Sequence, residues 1–115
     1  MNSYATLKNL KTLICNFNKI YIIKSISEAF PNLENLVLMN NQIKQIEDVK
    51  ELSKLKNIKR IYLNNNPVVY TDEYRLKLIA MLPKLKILDF QKVSMSERKL
   101  AKNKYEIKQE ENLDV

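Results

Sequence analysis

A single spacing of apolar residues recurs four times and constrains this chain more than any other feature. From Leu7 it reads LxxLxxLxLxxNxI, carried by Leu7, Leu10, Leu13, Cys15, Asn18 and Ile20. Phe30, Leu33, Leu36, Leu38, Asn41 and Ile43 repeat it, as do Leu55, Ile58, Ile61, Leu63, Asn66 and Val68. A fourth copy runs Leu82, Leu85, Leu88, Phe90, with Val93 where the asparagine is due. Successive copies begin 23, 25 and 27 residues apart. Self-similarity at such a period describes one short unit stacked on copies of itself, because no unit can bury its apolar face alone.

Period and pattern are those of a leucine-rich repeat. The expected fold is an α/β leucine-rich-repeat solenoid of four repeats. A short parallel sheet lines its concave face, short helices or 3₁₀ turns its convex face, and a helix caps its C-terminal end. Each LxL pair (Leu13/Cys15, Leu36/Leu38, Ile61/Leu63, Leu88/Phe90) makes a short strand with those side chains inward. Strands are therefore expected near 12–16, 35–39, 60–64 and 87–91. Where the chain turns inward after each strand, an amide can both donate and accept. Asn18, Asn41 and Asn66 are expected to form a buried structural ladder there. Asparagine also tolerates left-handed backbone, which suits a chain without glycine.

On the return path Ile23 and Ile26, then Ile46, Val49 and Leu52, have the three-residue spacing of 3₁₀ or α turns. After the third copy Thr71 reads as an N-cap, Asp72 and Glu73 as a favourable first turn, and Tyr74, Leu78 and Leu82 as one helix face. Val93 in place of asparagine implies that no further coil follows. Ser94 with Glu97 three residues on is a capping box, and Leu100, Ala101 and Tyr105 would lay the ensuing helix over the last coil. The expected organisation is thus repeats over 1–93, a capping helix over 94–108 and a polar tail over 109–115.

Composition excludes most catalytic chemistry. Without histidine there is no Ser/His or Cys/His pair and no histidine metal ligand. Without glycine there is no phosphate-cradling loop or dinucleotide fingerprint. An acid-pair hydrolase remains formally open, but nothing places two carboxylates in one pocket. The expectation is a binding protein, not an enzyme, with no cofactor and no metal. The lone Cys15 cannot form an internal disulfide, which fits a reducing compartment, and on a strand it reads as a small core residue. No apolar run nears the ~20 residues that cross a membrane, and the start MNSYATLKNL does not read as a secretory signal.

The net charge is +7, from 20 basic and 13 acidic residues. From Ser94 onward bases and acids cancel, so the excess lies in residues 1–93. A basic body suggests an anionic partner such as RNA; a lysine-, asparagine- and isoleucine-rich composition from an AT-rich coding sequence would give the same charge without function.

Strand residues that do not face the core line the concave face, the usual binding surface of such folds. In this register they are Thr12, Ile14 and Asn16; Asn35, Val37 and Met39; Arg60, Tyr62 and Asn64; and Ile87, Asp89 and Gln91. Ile14, Val37, Met39, Tyr62 and Ile87 form an apolar stripe across all four strands, and a stripe of that extent marks an interaction site. Arg60 and Tyr62 belong to types enriched at hot spots.

Several segments resemble one branch of the leucine-rich repeats, the U2 small nuclear ribonucleoprotein A-prime family. They are Phe30-Pro31-Asn32-Leu33 through Asn40-Asn41, the Asn66-Pro67 turn, Tyr74-Arg75-Leu76, and above all Leu88-Asp89-Phe90-Gln91-Lys92-Val93 followed by Glu97-Arg98. The opening Leu7-Lys8-Asn9-Leu10-Lys11-Thr12-Leu13 looks like a middle repeat of that family, and the likeness spans residues 4 to about 104. It implies a nuclear spliceosome subunit acting in pre-mRNA splicing. Its concave sheet would hold a helix of an RNA-recognition-motif protein of the B-double-prime type, and the pair would bind a stem-loop of U2 small nuclear RNA. Lys11, Lys19 and Lys44, near the strand edges, become candidates for RNA phosphate contacts. Other short nuclear and cytoskeletal repeat proteins share much of the pattern, so an adaptor docking a phosphatase or cytoskeletal protein through the same face is the alternative. Asp89-Phe90-Gln91-Lys92-Val93 and the basic body favour the first reading. The family carries a cap and further repeats before the segment that starts here. Leu7, Leu10 and Ile23 are therefore expected to be partly solvated, forfeiting about 1 kcal/mol each. A truncated product and a shortened relative both fit.

Overall fold

The computed structural model describes residues 7–106; the polar tail expected over 109–115 and the last two residues of the expected capping helix lie outside them. Strands β1 (Thr12–Ile14), β2 (Asn35–Val37), β3 (Arg60–Tyr62) and β4 (Ile87–Leu88) lie side by side in chain order, each parallel to the last. The register sets Leu13, Leu36, Ile61 and Leu88 in one inward row. Leu36, Ile61 and Leu88 are wholly buried, with Leu33, Leu63, Leu78 and Ile79.

The return path alternates helix types. Helix α1 (Ile26–Ala29) follows the first coil and a 3₁₀ helix (Ile46–Lys54) the second; a 3₁₀ turn (Pro67–Tyr70) and helix α2 (Tyr74–Met81) follow the third. The three-residue spacing of Ile46, Val49 and Leu52 matches the 3₁₀ period, and Val49 and Leu52 are fully buried. Gln45 caps that helix reciprocally with Asp48. Thr71 does not cap α2 as expected. Its hydroxyl donates to the Val68 carbonyl at 2.7 Å, closing the preceding 3₁₀ turn, and Glu73 takes the cap position in a left-handed conformation.

The asparagine ladder forms in two of the three expected places. Asn66 Nδ2 donates to the Leu38 and Leu63 carbonyls (2.8 and 3.0 Å), and its Oδ1 accepts from the Ile43 N–H (3.1 Å). Asn41 makes the same set with Cys15, Leu38 and Ile20. The bonds between coils run backward, so a ladder asparagine needs a coil before it, not after it. Asn18 has none among the described residues; it is exposed and donates to the Asn16 carbonyl. Nor is the ladder asparagine the left-handed residue, for that role falls one position earlier, on Phe17, Asn40 and Asn65.

The first coil is partly solvated. Leu10, Leu13, Cys15 and Ile20 are half-buried and Leu7 is exposed, whereas Leu33, Leu36, Leu38 and Ile43 one coil later are buried. Ile23 departs from expectation. It is buried, because its N–H bonds to the Asp48 carbonyl and holds it against the second coil.

The largest departure comes at the fourth strand. In place of one strand over 87–91 there are β4 and an antiparallel β5 (Gln91–Lys92), with Asp89 and Phe90 between them at φ 53° and 66°. Two left-handed residues in a two-residue loop match the right-handed twist of a hairpin. Val93 N–H closes the hairpin on the Lys86 carbonyl, and Val93 packs against the core in the inward place expected of Phe90.

Helix α3 (Met95–Ala101) then begins at Ser94, whose capping box with Glu97 is present in both directions, and it runs on as a π turn (Lys102–Glu106). Ala101 is buried against α2, but Leu100 points to solvent. Arginines complete the seal. Arg75 donates two bonds to Glu97 (2.8 and 3.0 Å) and a third to the Leu88 carbonyl (2.9 Å). Arg98 donates to the Ile79 and Leu82 carbonyls at the end of α2, where a helix leaves its acceptors open.

Candidate partner-binding face

Because side chains alternate along a strand, the concave face is ruled into rows that cross the coils. The first row is polar and internally bonded. Asn35 Nδ2 donates to Thr12 Oγ1, and Arg60 Nη1 donates to Asn35 Oδ1, both at 2.9 Å. Cross-strand bonds of this kind fix side chains before any partner arrives. Ile87 continues the row. The second row is apolar, with Ile14, Val37 and Tyr62 in direct register. Ile14 is 62% exposed, and Val37 and Tyr62 are half-buried. The third row comprises Asn16, Met39 and Asn64. Asn16 Oδ1 accepts from the Met39 N–H at 2.8 Å. Asn64 Oδ1 is buried with no partner among the described residues. The register would give it a backbone N–H at position 91, but the chain has already turned away at Asp89.

Asp89 and Gln91 do not join these rows. In the earlier coils the Cys15 and Leu38 N–H groups donate to the Val37 and Tyr62 carbonyls of the next strand. Leu63 N–H, next in that series, instead donates to Asp89 Oδ1 at 2.7 Å, and Tyr74 Oη donates to Asp89 Oδ2 at 2.7 Å. The carboxylate thus replaces a missing backbone acceptor at the end of the sheet, and both its oxygens are occupied. Burial, reinforced by Asp89, pushes the Tyr74 phenol far above its ordinary range. Gln91 is exposed on the antiparallel β5.

Phe90 occupies the place vacated on this face. It is 67% exposed, and its ring lies 4.6 Å from that of Tyr62, tilted by 50°. Tilted aromatic pairs at this distance attract beyond their simple area burial. A bulky residue at φ 66° is strained by about 1–3 kcal/mol. An exposed aromatic held in such a conformation joins the concave-face candidates, although its alternation with Leu88 marked it as core.

The three candidate RNA-contacting lysines are separated by the fold. Lys11 precedes β1, while Lys19 and Lys44 follow the asparagine turns at the opposite ends of their strands. Lys11 is paired with Glu34 at 3.4 Å, and this bond is the main cause holding the Glu34 carboxyl below the usual carboxylate range.

The sequence profile of the leucine-rich-repeat family matches residues 1–114. The chain belongs to the leucine-rich-repeat family. Within this family it is 33% identical over 106 residues to a probable U2 small nuclear ribonucleoprotein A′ of Caenorhabditis elegans. It is 35% identical over 106 residues to the U2 small nuclear ribonucleoprotein A′ of Homo sapiens. Each alignment covers 91% of this chain and 42% of the relative, so this leucine-rich-repeat chain spans less than half of those proteins. It superposes on a chain of the Drosophila melanogaster SNF/U2A′ complex with TM-score 0.85 at 30% identity, covering 98% of this chain and 66% of that one. The repeat fold is shared with the Chaetomium Mex67:Mtr2 subunits at TM-score 0.69 and 21% identity.

Proposed function

We propose that this leucine-rich-repeat chain is a non-catalytic, nuclear scaffold subunit of the U2 small nuclear ribonucleoprotein, acting in pre-mRNA splicing. Its concave rows hold one helix of an RNA-recognition-motif protein of the B-double-prime type, and the heterodimer engages U2 small nuclear RNA. The observation that carries this reading is the apolar row Ile14–Val37–Tyr62, extended by Phe90, on a sheet that superposes on a chain from the SNF/U2A′ complex. An apolar row bordered by fixed polar groups suits an amphipathic helix, whose apolar side chains recur at three- and four-residue steps.

Replacing Tyr62→Ala together with Met39→Ala tests the face. Capture of the recombinant RNA-recognition-motif partner should be lost while the circular-dichroism spectrum stays that of the folded chain, with only a modest drop in the melt from the lost Tyr62–Phe90 contact; undiminished capture would remove this surface from consideration. For the RNA, neutralising Lys11, Lys19 and Lys44 should flatten the salt dependence of stem-loop binding by the heterodimer. An unaltered slope rules those lysines out. Affinity capture from native cells separates the competing adaptor role, since Sm proteins with U2 RNA support the present reading and a phosphatase catalytic subunit supports the other.

A further inference from the structure

Beside the concave sheet a groove of about 710 Å³ opens between the terminal hairpin and α3. It meets the concave face only at Arg60 and Ile87; the rest of its wall comes from residues 85–102. Its floor is apolar, made by Leu85, Ile87 and Val93, with Met95, 91% exposed, at its mouth. Its rim is cationic, with Lys86, Lys92, Lys99 and Lys102 around the opening and no acidic residue among the described residues of the lining. None of the ion pairs among the described residues uses any of these four lysines.

Two classes of anionic polymer meet a basic groove, and the floor discriminates between them. Single-stranded nucleic acid is held by aromatic side chains or guanidinium planes on which bases stack. Among the described residues no aromatic side chain lines this groove, and Arg98 already donates to the Ile79, Leu82 and Leu85 carbonyls. An aliphatic floor ringed by ammonium groups matches carboxylates set on either side of an aliphatic side chain. Lysine suits this task because its flexible stem lies along apolar surface while its charge reaches outward. Exposed apolar surface inside a ring of one charge sign also selects against neutral or basic partners.

We infer that this groove is a second docking site, one that receives an acidic peptide segment of a protein partner, with one leucine-like side chain on Val93 and Met95 and flanking carboxylates at Lys92, Lys99 and Lys102. The site shares only Arg60 and Ile87 with the first row and lies apart from the apolar row, so both partners can be held together.

Fluorescence anisotropy with the full chain and a labelled ten-residue peptide of Asp and Glu around a central Leu tests this. The leucine peptide should bind about tenfold more tightly than the same peptide with Ser at the centre, which is the expected worth of one buried apolar side chain. Lys92→Glu with Lys99→Glu should weaken binding of the leucine peptide more than tenfold. Met95→Ser should erase the preference for leucine over serine while leaving the serine peptide unaffected. Tyr62→Ala with Met39→Ala should leave peptide binding intact, so the groove can stand or fall apart from the concave face. Equal affinity for the two peptides, no binding of either, or tighter binding of a ten-nucleotide oligouridylate through the same lysines overturns the inference.

Discussion

At the residue scale, the chain's lack of glycine forces ordinary side chains into left-handed backbone. Seven non-glycine residues have positive φ among the described residues, and two of them are phenylalanines. Asn40 and Asn65 bear this conformation at little cost, since asparagine is one of the few residues that visit it. Phe90 does not. Phe90→Gly should therefore leave thermal stability unchanged or raise it by up to about 1 kcal/mol, while capture of the RNA-recognition-motif partner falls. A melt and a pull-down on the same sample check both halves. The ladder supplies a second contrast. Asn66→Ala orphans two buried carbonyl interactions and an N–H and should cost about 3 kcal/mol, whereas Asn18→Ala, exposed, should cost less than about 0.5 kcal/mol; denaturant unfolding of both variants decides. The asparagines were legible in the sequence because a polar residue recurring among leucines needs a reason. Their direction was not, since spacing carries no information about which neighbour an amide bonds. Asp89 was misread for a related reason, because alternation assigns it to a face but cannot reveal that its carboxylate stands in for a peptide carbonyl.

Among the elements, the start and register of three parallel strands were readable, because an LxL pair flanked by turns has a single sensible register, but each strand ends after three residues where five were expected. The fourth was not. Leu88 and Phe90 satisfy the same alternation, and only the three-dimensional need to bring Val93 onto the core makes the chain reverse between them. Capping was half legible. Ser94 and Glu97 announced α3, while Arg75 and Arg98, whose bonds bind it to α2 and β4, carried no signal beyond their place in the family likeness. The Arg75 bond to Glu97 holds the Glu97 carboxyl below the usual carboxylate range. A carboxyl depressed on folding adds stability that is complete above its unfolded value, about 4.3, and that is lost as pH falls through the folded one. Thermal melts at about pH 6 and about pH 3 should thus show acid destabilisation in the parent chain and a smaller loss in Glu97→Gln. The bonds from Lys104 and Tyr105 that depress Glu73 add a second acid-sensitive link in the same cap, so the variant retains part of the effect.

For the whole molecule, stability is expected to be graded along the stack. A solenoid holds together through contacts between neighbouring coils, and here the first coil is half solvated while the third is sealed by α2 and α3. Hydrogen exchange should be fastest at the β1 amides, slower at β2 and slowest at β3. A uniform rate across the three strands would contradict the stacked-coil account. The fold class was the most legible property of this sequence, because four copies of one spacing leave few alternatives. The groove was the least legible, since Lys92, Met95 and Lys99 belong to a hairpin and a helix whose mutual placement no periodicity encodes.

The reversal at Asp89–Phe90 also changes what the C-terminal border of the sheet offers to another strand. A strand arriving at the C-terminal border finds two residues running the opposite way, one of them a lysine, which is a poor template for continuing a parallel ribbon. The other border, at β1, keeps the common strand direction. Among the described residues, then, the sheet's C-terminal border is blunted against a further parallel strand by its own reversal.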